Sequence, residues 1–371
     1  MTCPRNIARV LRISGAYFLY GIAALATQAG IAQDHAARIV GRVTASDTQR
    51  PLEQAHVFIA FSMIGTTTNA AGQFELAGVP PGAHHLHVSM VGYTPFERDS
   101  LFRAGTSYSF DVQLQPTTIE LEEVTVSARE ARRWQRRLLK FGRLFLGETG
   151  NSDLASFKNP EVLSFTSKSG KFSATASAPL IIENRALGYQ LTYYLKEFFY
   201  SGNTLKYDGD PVFIELVPAD SVEAALWEAN RQAAFYGSQR HYFLALLDQR
   251  AEQEGFITYR RFRLDRGASF LVDESALLRA GPTSFEKELT FTGYLEIVYT
   301  REKEDALFRR WRQDSSGWQL GDQRSYIKLN DGPTLIDQSG EVIDPYGITV
   351  YGYFAFERFG DLLPKEYRPP E

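Results

Sequence analysis

The stretch that decides the fold covers residues 65–93, GTTTNAAGQFELAGVPPGAHHLHVSMVGY. Two turn sequences interrupt its half-apolar runs, NAAG at residues 69–72 and PPG at residues 80–82. Proline presets φ at the first inner position of a turn, and glycine accepts the positive φ that follows, so we predict an antiparallel β-meander. Alternation along its last strand places three side chains in the core and three in water, namely Leu86, Val88 and Met90 against His85, His87 and Ser89.

Further runs on both sides extend this stretch into a small β-sandwich. Residues 38–44 and 56–61 predict the opening strands, and residues 106–114 predict the closing strand. Apolar side chains alternate with polar ones in the closing run: Tyr108, Phe110, Val112 and Leu114 against Ser107, Ser109, Asp111 and Gln113. Such alternation gives one packed face and one wet face, as in a sandwich sheet. Six or seven short strands at this spacing predict a sandwich over residues 38–116.

The order of these runs resembles a known module. GRV, PLEQAHVFI, the stretch quoted above, FDVQLQP and LEEVTV follow one another as in the carboxypeptidase regulatory-like domain. This resemblance implies a transthyretin-like, Ig-like sandwich of the kind found beside metallocarboxypeptidases and at the front of TonB-dependent outer-membrane transporters. It implies a fold and a compartment, and no catalytic residue. No histidine of this chain has a glutamate three positions later, so the His-x-x-Glu zinc pair of a peptidase is absent from the sequence.

Residues 1–32 have the pattern of a secretory signal peptide. A basic start precedes an uncharged run of fourteen residues, 13–26, and then small residues. A helix of that length spans about 21 Å, short of the ~30 Å hydrocarbon core, so the pattern favours cleavage over permanent anchoring. Cys3 is the single cysteine and precedes the apolar run, which disfavours lipidation and leaves no thiol after cleavage. We expect an exported protein, periplasmic or associated with the outer membrane.

Length and charge limit the remaining choices. A chain of 371 residues with 44% hydrophobic content suffices for two domains with real cores. The net charge is −4, and it becomes −7 without the three arginines of residues 1–32. A mildly acidic protein lacks the electrostatic attraction that nucleic-acid binding requires, so we exclude nucleic acid as a partner.

Residues 117–149 predict a linker strand followed by a basic amphipathic helix. A segment like residues 119–126 leads into a plug domain in the transporters, but the part that follows here is too short for a large barrel, which excludes a transporter. Over residues 129–146, arginines and one lysine surround a single apolar stripe of Trp134, Leu138, Phe141 and Phe145. The helix can lie on an anionic membrane surface or bind a partner; alternatively, the stripe packs against its own domain.

Residues 150–371 predict an α+β domain, so the fold class is mainly β with a C-terminal α+β part. Alternating runs at residues 187–195 and 289–300 predict strands. Two helices between them begin at caps, the first at Asp220 or Ser221 and the second at Ser238. The runs NPEVLSF, APLIIENRALGYQLTYYL, WEANRQAAFYGSQRHYF and FGDLLPKEYRP resemble the second domain of a recurring group of envelope proteins, a resemblance that implies no activity. For residues 351–367 both helix and strand remain open.

One group of polar residues in this domain forms a candidate binding site. Trp227, Asn230 and Arg231 lie at i, i+3 and i+4 on one helix, and Arg240 and His241 begin the next. Arginine with histidine at a helix N-terminus could hold an anion. Alternatively, these groups brace the helix turn against the sheet by hydrogen bonds. Nucleotide-binding, serine-hydrolase and zinc-protease motifs are absent from the sequence, so we predict no catalytic residue and no cofactor.

Two further arrangements invite chemistry. His85 and His87 share one face of a strand, the spacing that a two-histidine metal site could use. No third ligand is apparent in the sequence, so we expect two exposed polar side chains and no metal. Asp208 and Asp210 could form a glycosidase acid pair, but Asp-Gly-Asp-Pro is an ordinary turn sequence and we predict a turn there.

These observations favour a non-enzymatic binding or scaffold protein of the cell envelope. One alternative is a secreted or periplasmic hydrolase that acts on glycans or peptides through the C-terminal domain. A second alternative is carbohydrate binding by the sandwich, which rests on fold analogy. The expected partner is an envelope protein or a surface polysaccharide, with peripheral membrane contact through residues 129–146 as a further expectation.

Overall fold

The structure is a computed structural model that describes residues 36–117, 127–264, 267–313 and 321–370. Two predicted features lie outside the described residues: the signal peptide at residues 1–32 and the linker strand at 119–126. Within the described ranges, no helix combines the length and the apolar character needed to span a bilayer.

Seven strands of the N-terminal part form two facing sheets. One sheet has the order β4-β1-β7 and the other has the order β3-β2-β5-β6. Apolar side chains from both sheets, such as Ile39, Val57 and Leu86, are fully buried between them. This sandwich confirms the predicted mainly β fold class. The strands are β1 Ala37–Ala45, β2 His56–Ile59, β3 Gly65–Thr67, β4 Gln73–Val79, β5 Gly82–Ser89, β6 Phe96–Phe102 and β7 Ser107–Leu114.

The predicted meander is wrong. Strand β4 pairs with β1, whereas β5 pairs with β2 and β6 in the opposite sheet. The Pro80-Pro81 turn carries the chain across the sandwich, and two residues without an N–H cannot extend a ladder from β4 into β5. The earlier turn also crosses between sheets, and it ends at Gly72 with φ +73°. A Cβ atom on Gly72 would lie 2.5 Å from the carbonyl oxygen of Val43.

The second domain contains three further sheets. The largest joins β8-β11-β12-β10-β9, with β13 paired to β12; the others run β15-β14-β18-β19-β21 and β16-β17-β20. The strands are β8 Ala155–Phe157, β9 Leu163–Lys168, β10 Lys171–Ala176, β11 Leu180–Asn184, β12 Tyr189–Ser201, β13 Thr204–Glu215, β14 Phe256–Arg261, β15 Phe270–Leu271, β16 Leu278–Ala280, β17 Glu286–Leu289, β18 Tyr294–Lys303, β19 Asp322–Leu329, β20 Thr334–Asp337 and β21 Ile348–Gly352.

The helices begin at side-chain caps that the sequence makes visible. Asp220 accepts from two backbone N–H groups of the first turn, and Ser238 accepts from the backbone of His241. The α-helices are α1 Ala128–Phe145, α2 Gly150–Asp153, α3 Ser221–Phe235, α4 Gln239–Leu247, α5 Ala306–Trp311 and α6 Tyr353–Phe356. Short 3₁₀ turns occupy Pro160–Val162, Glu274–Ala276 and Phe359–Asp361.

Helix α1 packs its apolar stripe against the second domain. Phe141 and Phe145 are fully buried, and the ring of Phe145 stacks on Phe359 at 4.5 Å. Trp134 Nε1–H donates to the carbonyl of Leu163 (2.9 Å). The stripe is therefore used within the chain. Basic side chains remain exposed on the outer face of the helix, namely Arg132, Arg133 and Arg136.

The second domain covers the outer face of the β2–β5 sheet. The Phe61 N–H donates to the Pro211 carbonyl (2.8 Å), and the Phe213 N–H donates to the Ser62 carbonyl (2.9 Å). These bonds dock β13 beside the loop that follows β2 and join the two domains through backbone groups.

This docking overturns the prediction that three side chains of β5 face water. His87 is fully buried, Ser89 is 5% exposed, and the side chain of His85 keeps only 27% of its exposure. Strand alternation separates one face from the other, but it cannot tell which face another domain will cover.

Candidate functional site

Charged side chains from both domains meet between the β2–β5 sheet of the sandwich and strands β12 and β13 of the second domain. Strand β5 supplies His85 and His87, and β6 supplies Glu97 opposite His87 in the antiparallel register. Strand β13 adds Asp210 and β12 adds Lys196. We call these five residues the junction cluster. Alternation on paired strands places the first three on one face of the sandwich, and the docked domain brings the other two to it.

Asp210 reaches the cluster because its segment is a strand, so the predicted turn at Asp208 to Pro211 is wrong. Asp210 pairs with Tyr194 in the β12–β13 ladder. The ladder shifts register around Lys196, which makes this lysine the extra residue of a β-bulge. Bulges change the direction in which a side chain points. Gly209 is required here, since a Cβ atom would lie 2.4 Å from the carbonyl oxygen of Tyr194.

The ring nitrogens and carboxylate oxygens of the cluster converge. His87 Nδ1–H donates to Asp210 Oδ2 (2.7 Å) and lies 3.8 Å from Glu97 Oε1. His85 Nε2 lies 3.4 Å from Asp210 Oδ2 and 3.6 Å from Glu97 Oε2, and it is buried without a hydrogen-bond partner. One nitrogen or oxygen from each of the four residues lies within 4.8 Å of the others. Two imidazoles and two carboxylates therefore face a common point.

Two further groups complete the electrostatics. Lys196 Nζ lies 2.7 Å from Glu97 Oε2 and 2.9 Å from Asp210 Oδ2, so it bridges the carboxylates of the two domains. On the outer side, His85 Nδ1–H donates to Asp99 Oδ1 (2.7 Å). Because an ionised carboxylate only accepts, the Nδ1 atom carries a proton and the Nε2 atom is the one that faces the cluster.

The cluster shifts the pKa values of its members in opposite directions. The carboxylates of Asp210 and Glu97 raise the pKa of His85 to about 10. Burial alone would raise the pKa of Asp210, but His85, His87 and Lys196 outweigh it and hold that pKa below its usual range. Burial likewise opposes the charge on Lys196, while Glu97 and Asp210 raise its pKa. Each of these pKa shifts favours the charged form of the group, because opposite charges lie close to it.

Aromatic rings close the inner side of the cluster. The His87 ring stacks on Phe58 at 4.7 Å between centroids and lies 4.4 Å from Tyr194. Its Nε2 atom is buried without a hydrogen-bond partner. The hydroxyl of Tyr194 lies 3.2 Å from His56 Nδ1. Burial lowers the pKa of His56. The charged cluster therefore has an apolar wall on one side and a route to solvent on the Asp99 and Lys196 side, where the side chains are 85% and 27% exposed.

Three of the residues predicted from sequence attach α3 to the loop before β12. Asn230 Nδ2–H donates to Ala186 O (2.9 Å), and Arg231 Nε–H donates to Leu187 O (2.7 Å). Arg231 also bonds Glu215 (2.7 Å), while its Nη2 atom is buried without a partner. Trp227 is 4% exposed. A cavity of about 450 Å³ adjoins this turn, and the carboxylates of Glu215 and Glu228 share its wall with Arg231, which opposes capture of an anion.

The other two predicted residues point elsewhere. Arg240 donates to the carbonyl of Ser339 (3.2 Å) and to three carbonyls of the C-terminal segment, those of Pro364, Lys365 and Tyr367 (2.9, 2.5 and 3.1 Å). His241 is 4% exposed and accepts from the Gly237 N–H at Nδ1 (3.1 Å). Burial lowers the pKa of His241 to about 4. We call these five residues, from Trp227 to His241, the helix-turn set; their polar atoms diverge toward separate backbone groups.

Sequence reasoning missed Glu97 and Lys196, and it considered Asp210 only with Asp208, as an acid pair or part of a turn. Part of the signal was available, because Glu97 and Asp99 alternate on β6 as His85 and His87 alternate on β5. Two neighbouring strands with complementary charges on one face point to a polar interface rather than a wet surface. Asp210 is 123 positions from His87, and no local pattern connects them.

Comparison with known proteins agrees with the first domain. Residues 39–126 match the family model of the CarboxypepD_reg-like domain. The chain therefore carries a carboxypeptidase regulatory-like domain. A search among curated proteins finds no match.

Solved structures give only weak overall likeness. A chain of a type II cohesin–X-dockerin complex from Acetivibrio cellulolyticus is 13% identical, with 27% of this chain and 73% of that chain covered and a TM-score of 0.20. Catechol 1,2-dioxygenase from Acinetobacter sp. ADP1 is 12% identical, with 25% of this chain and 57% of that chain covered and a TM-score of 0.20. A membrane-associated protein of unknown function from Bacteroides fragilis is 12% identical, with 50% of this chain and 84% of that chain covered and a TM-score of 0.18.

Proposed function

We propose that this chain is a non-enzymatic binding or scaffold protein of the cell envelope, built on its carboxypeptidase regulatory-like domain. It is exported by residues 1–32 and acts in the periplasm or at the outer membrane. Its partner is an envelope protein or a surface polysaccharide.

The observation that carries this proposal is the set of hydrogen bonds that Arg240 makes to the backbone. Its guanidinium donates to four backbone carbonyls and holds the C-terminal segment against α4. Arg231 likewise bonds a backbone carbonyl, and His241 accepts from a backbone N–H. The groups that a hydrolase in the second domain would bring to one substrate are each directed to a different part of the chain. Such an arrangement supports a binding surface rather than a reaction centre.

The direct test is photo-crosslinking in cells, followed by fractionation of the envelope. A photoreactive residue is placed at Arg133 on α1, at Val217 beside the cavity, or at Val91 on the sandwich. Val217 and Val91 are 91% and 78% exposed, and Arg133 is also exposed, so no substitution disturbs a core. We expect the protein in the envelope fraction and a crosslinked partner from one position, with the other two positions as matched controls.

Two results would contradict the proposal. One is recovery of the protein in the cytoplasmic fraction without a crosslink from any position. The other is hydrolysis of a peptide or glycan by the purified protein at a rate that one substitution after residue 150 abolishes.

Contact with the membrane surface is tested separately. The double variant Arg132→Gln, Arg133→Gln is compared with the double variant Lys168→Gln, Lys171→Gln, which removes equal charge from an exposed hairpin. Flotation with phosphatidylglycerol vesicles should show salt-sensitive binding that only the arginine variant loses, because basic side chains near an anionic surface contribute about 1 kcal/mol each. Equal binding by both variants would exclude α1 as the contact.

A further inference from the structure

We propose that His85, His87, Glu97 and Asp210 form a binding site for one divalent transition-metal ion of the zinc class, at the junction of the two domains. The proposal goes beyond the binding or scaffold role and concerns a site that this role does not require.

The donor set is the first argument. Neutral imidazole nitrogen and carboxylate oxygen are zinc ligands, and four of them satisfy its usual tetrahedral shell. In such a shell, bonds of 2.0–2.1 Å place neighbouring ligand atoms about 3.3 Å apart. His85 Nε2 lies 3.4 Å from Asp210 Oδ2 and 3.6 Å from Glu97 Oε2, and His87 Nδ1 lies 3.8 Å from Glu97 Oε1. These three separations exceed the ideal edge by at most about 0.5 Å. The fourth, between His87 Nδ1 and Asp210 Oδ2, is a hydrogen bond of 2.7 Å, so metal binding requires the Nδ1 proton to leave and this pair to move apart by about 0.6 Å.

The second argument is the partner of His85 on its far side. Asp99 accepts a hydrogen bond from Nδ1 of His85 at 2.7 Å, which directs Nε2 into the cluster. Histidines that bind zinc usually donate their other N–H to a carboxylate or a carbonyl in this way. Nε2 of His85 is buried, makes no hydrogen bond and lies 3.4 Å from Asp210 Oδ2 and 3.6 Å from Glu97 Oε2, so it is directed at the other proposed ligand atoms.

The third argument concerns Lys196. Its ammonium lies 2.7 and 2.9 Å from the two carboxylate oxygens that the metal would use, so it occupies the place of a cation. The side chain is 27% exposed, whereas those of His87 and Asp210 are 1% and 5% exposed. Lys196 can therefore withdraw toward solvent while the ligands stay fixed.

Lysine and metal compete for the same oxygens, and this competition gives the proposal its test. Removing the ammonium should strengthen metal binding, although it weakens the network without metal. A lysine that serves only as a permanent counter-ion predicts the opposite: the Lys196→Met variant would be less stable and would still bind no metal.

The experiment measures Zn²⁺ binding by calorimetry and Co²⁺ binding by visible absorption, which reports tetrahedral coordination. All proteins carry Cys3→Ser, so that the chain's single thiol cannot bind either ion. Three variants are compared with this parent: His85→Gln, Asp99→Asn and Lys196→Met. His84→Gln is the matched control, because His84 Nε2 contacts the carbonyl of Pro80 instead of the cluster. Melting in EDTA checks that each variant is folded.

We expect the parent to bind one Zn²⁺ and to give a tetrahedral Co²⁺ spectrum. His85→Gln should weaken binding at least 100-fold, and Asp99→Asn should weaken it about 10- to 100-fold, as loss of an outer-shell partner does. Lys196→Met should tighten binding at least about tenfold, and His84→Gln should leave it unchanged.

Failure of the parent to bind Zn²⁺ at millimolar concentration overturns the proposal. It is also overturned if Lys196→Met does not bind more tightly, or if His84→Gln weakens binding as much as His85→Gln does. Asp99 is largely exposed and Lys196 partly so, and the variants at these positions keep the test decisive should His85→Gln fail to fold.

Discussion

The junction cluster and the helix-turn set both bury charged side chains, and they use them in opposite ways. In the junction cluster, side chains from β5, β6, β12 and β13 point at one another and leave a ring nitrogen of His85 without a partner. In the helix-turn set, the guanidiniums of Arg231 and Arg240 point away from each other toward backbone carbonyls. Convergent groups create a place that a ligand can fill, whereas divergent groups fasten segments of chain.

Residue type alone does not distinguish a binding site from a group of side chains that only hold the fold together. Arginine and histidine often bind anions. Arg231, Arg240 and His241 instead each form a hydrogen bond with a backbone group elsewhere in the chain. His85 and His87, in contrast, belong to a strand that the sequence predicts to be wet. What separates the two regions is the direction of the polar atoms and whether those atoms are already engaged.

The largest effect is expected at the centre of the junction cluster. Asp210→Ala removes the carboxylate that contacts His85, His87 and Lys196. The buried Nδ1–H of His87 then lacks its hydrogen-bond acceptor, and Lys196 keeps only Glu97 as a partner. Loss of one partner from a buried ion pair costs about 3–5 kcal/mol of unfolding free energy. Urea denaturation in EDTA measures it. Asp99→Ala is the control, because Asp99 is 85% exposed and should cost under about 1 kcal/mol. Equal costs would show that the cluster is a surface network.

The next effect tests the divergent region. Arg240→Ala removes four hydrogen bonds to backbone carbonyls and should cost about 2–4 kcal/mol, because buried carbonyls are left unpaired. Limited proteolysis should then cut the C-terminal segment first. Arg240→Lys should recover only part of the loss, since one ammonium cannot reproduce the planar fork. If Arg240→Ala keeps full stability and loses phosphate binding instead, the anion-site reading of the helix-turn set is restored.

A pH effect should distinguish His241 within the same region. Burial lowers its pKa from 6.5 to about 4, so between those values the unfolded chain binds a proton that the folded chain does not. The contribution of His241 to stability is therefore complete above pH 6.5 and is lost as the pH falls toward 4, by up to about 3 kcal/mol.

His241→Asn removes this titration and keeps an acceptor near the Gly237 N–H. Unfolding midpoints of the parent and His241→Asn, measured from pH 7 to pH 4, should converge as the pH falls. Parallel curves would mean that folding does not change the pKa of His241.

The smallest effect concerns the loop to which Asn230 and Arg231 bind. Gly188 has φ +69°, and a Cβ atom there would lie 2.2 Å from the ring of Trp227. Gly188→Ala should cost about 1–3 kcal/mol from overpacking and backbone strain. Thermal melting measures the loss. Gly202→Ala is the control, since it has φ +60° and no atom within 4 Å of the added Cβ. Equal shifts in the two variants would assign the cost to backbone conformation alone.

Much of the fold was present in local sequence. Period-two alternation predicts β7, and the capping residues Asp220 and Ser238 predict where α3 and α4 begin. Turn chemistry predicts that the chain reverses at Pro80-Pro81, but it does not predict that the next strand joins the other sheet, because a turn fixes direction and not pairing.

The sequence by itself determined the sandwich, its buried face and the helices of the second domain, since each depends on residues within a few positions of one another. Only the tertiary structure decided that His85 and His87 are covered and that Asp210 and Lys196 reach them. The contact between His87 and Asp210 joins positions 123 residues apart, and it exists because one domain docks on the polar face of the other. The sequence shows that a strand face is charged, but it does not show which groups of another domain will contact that face.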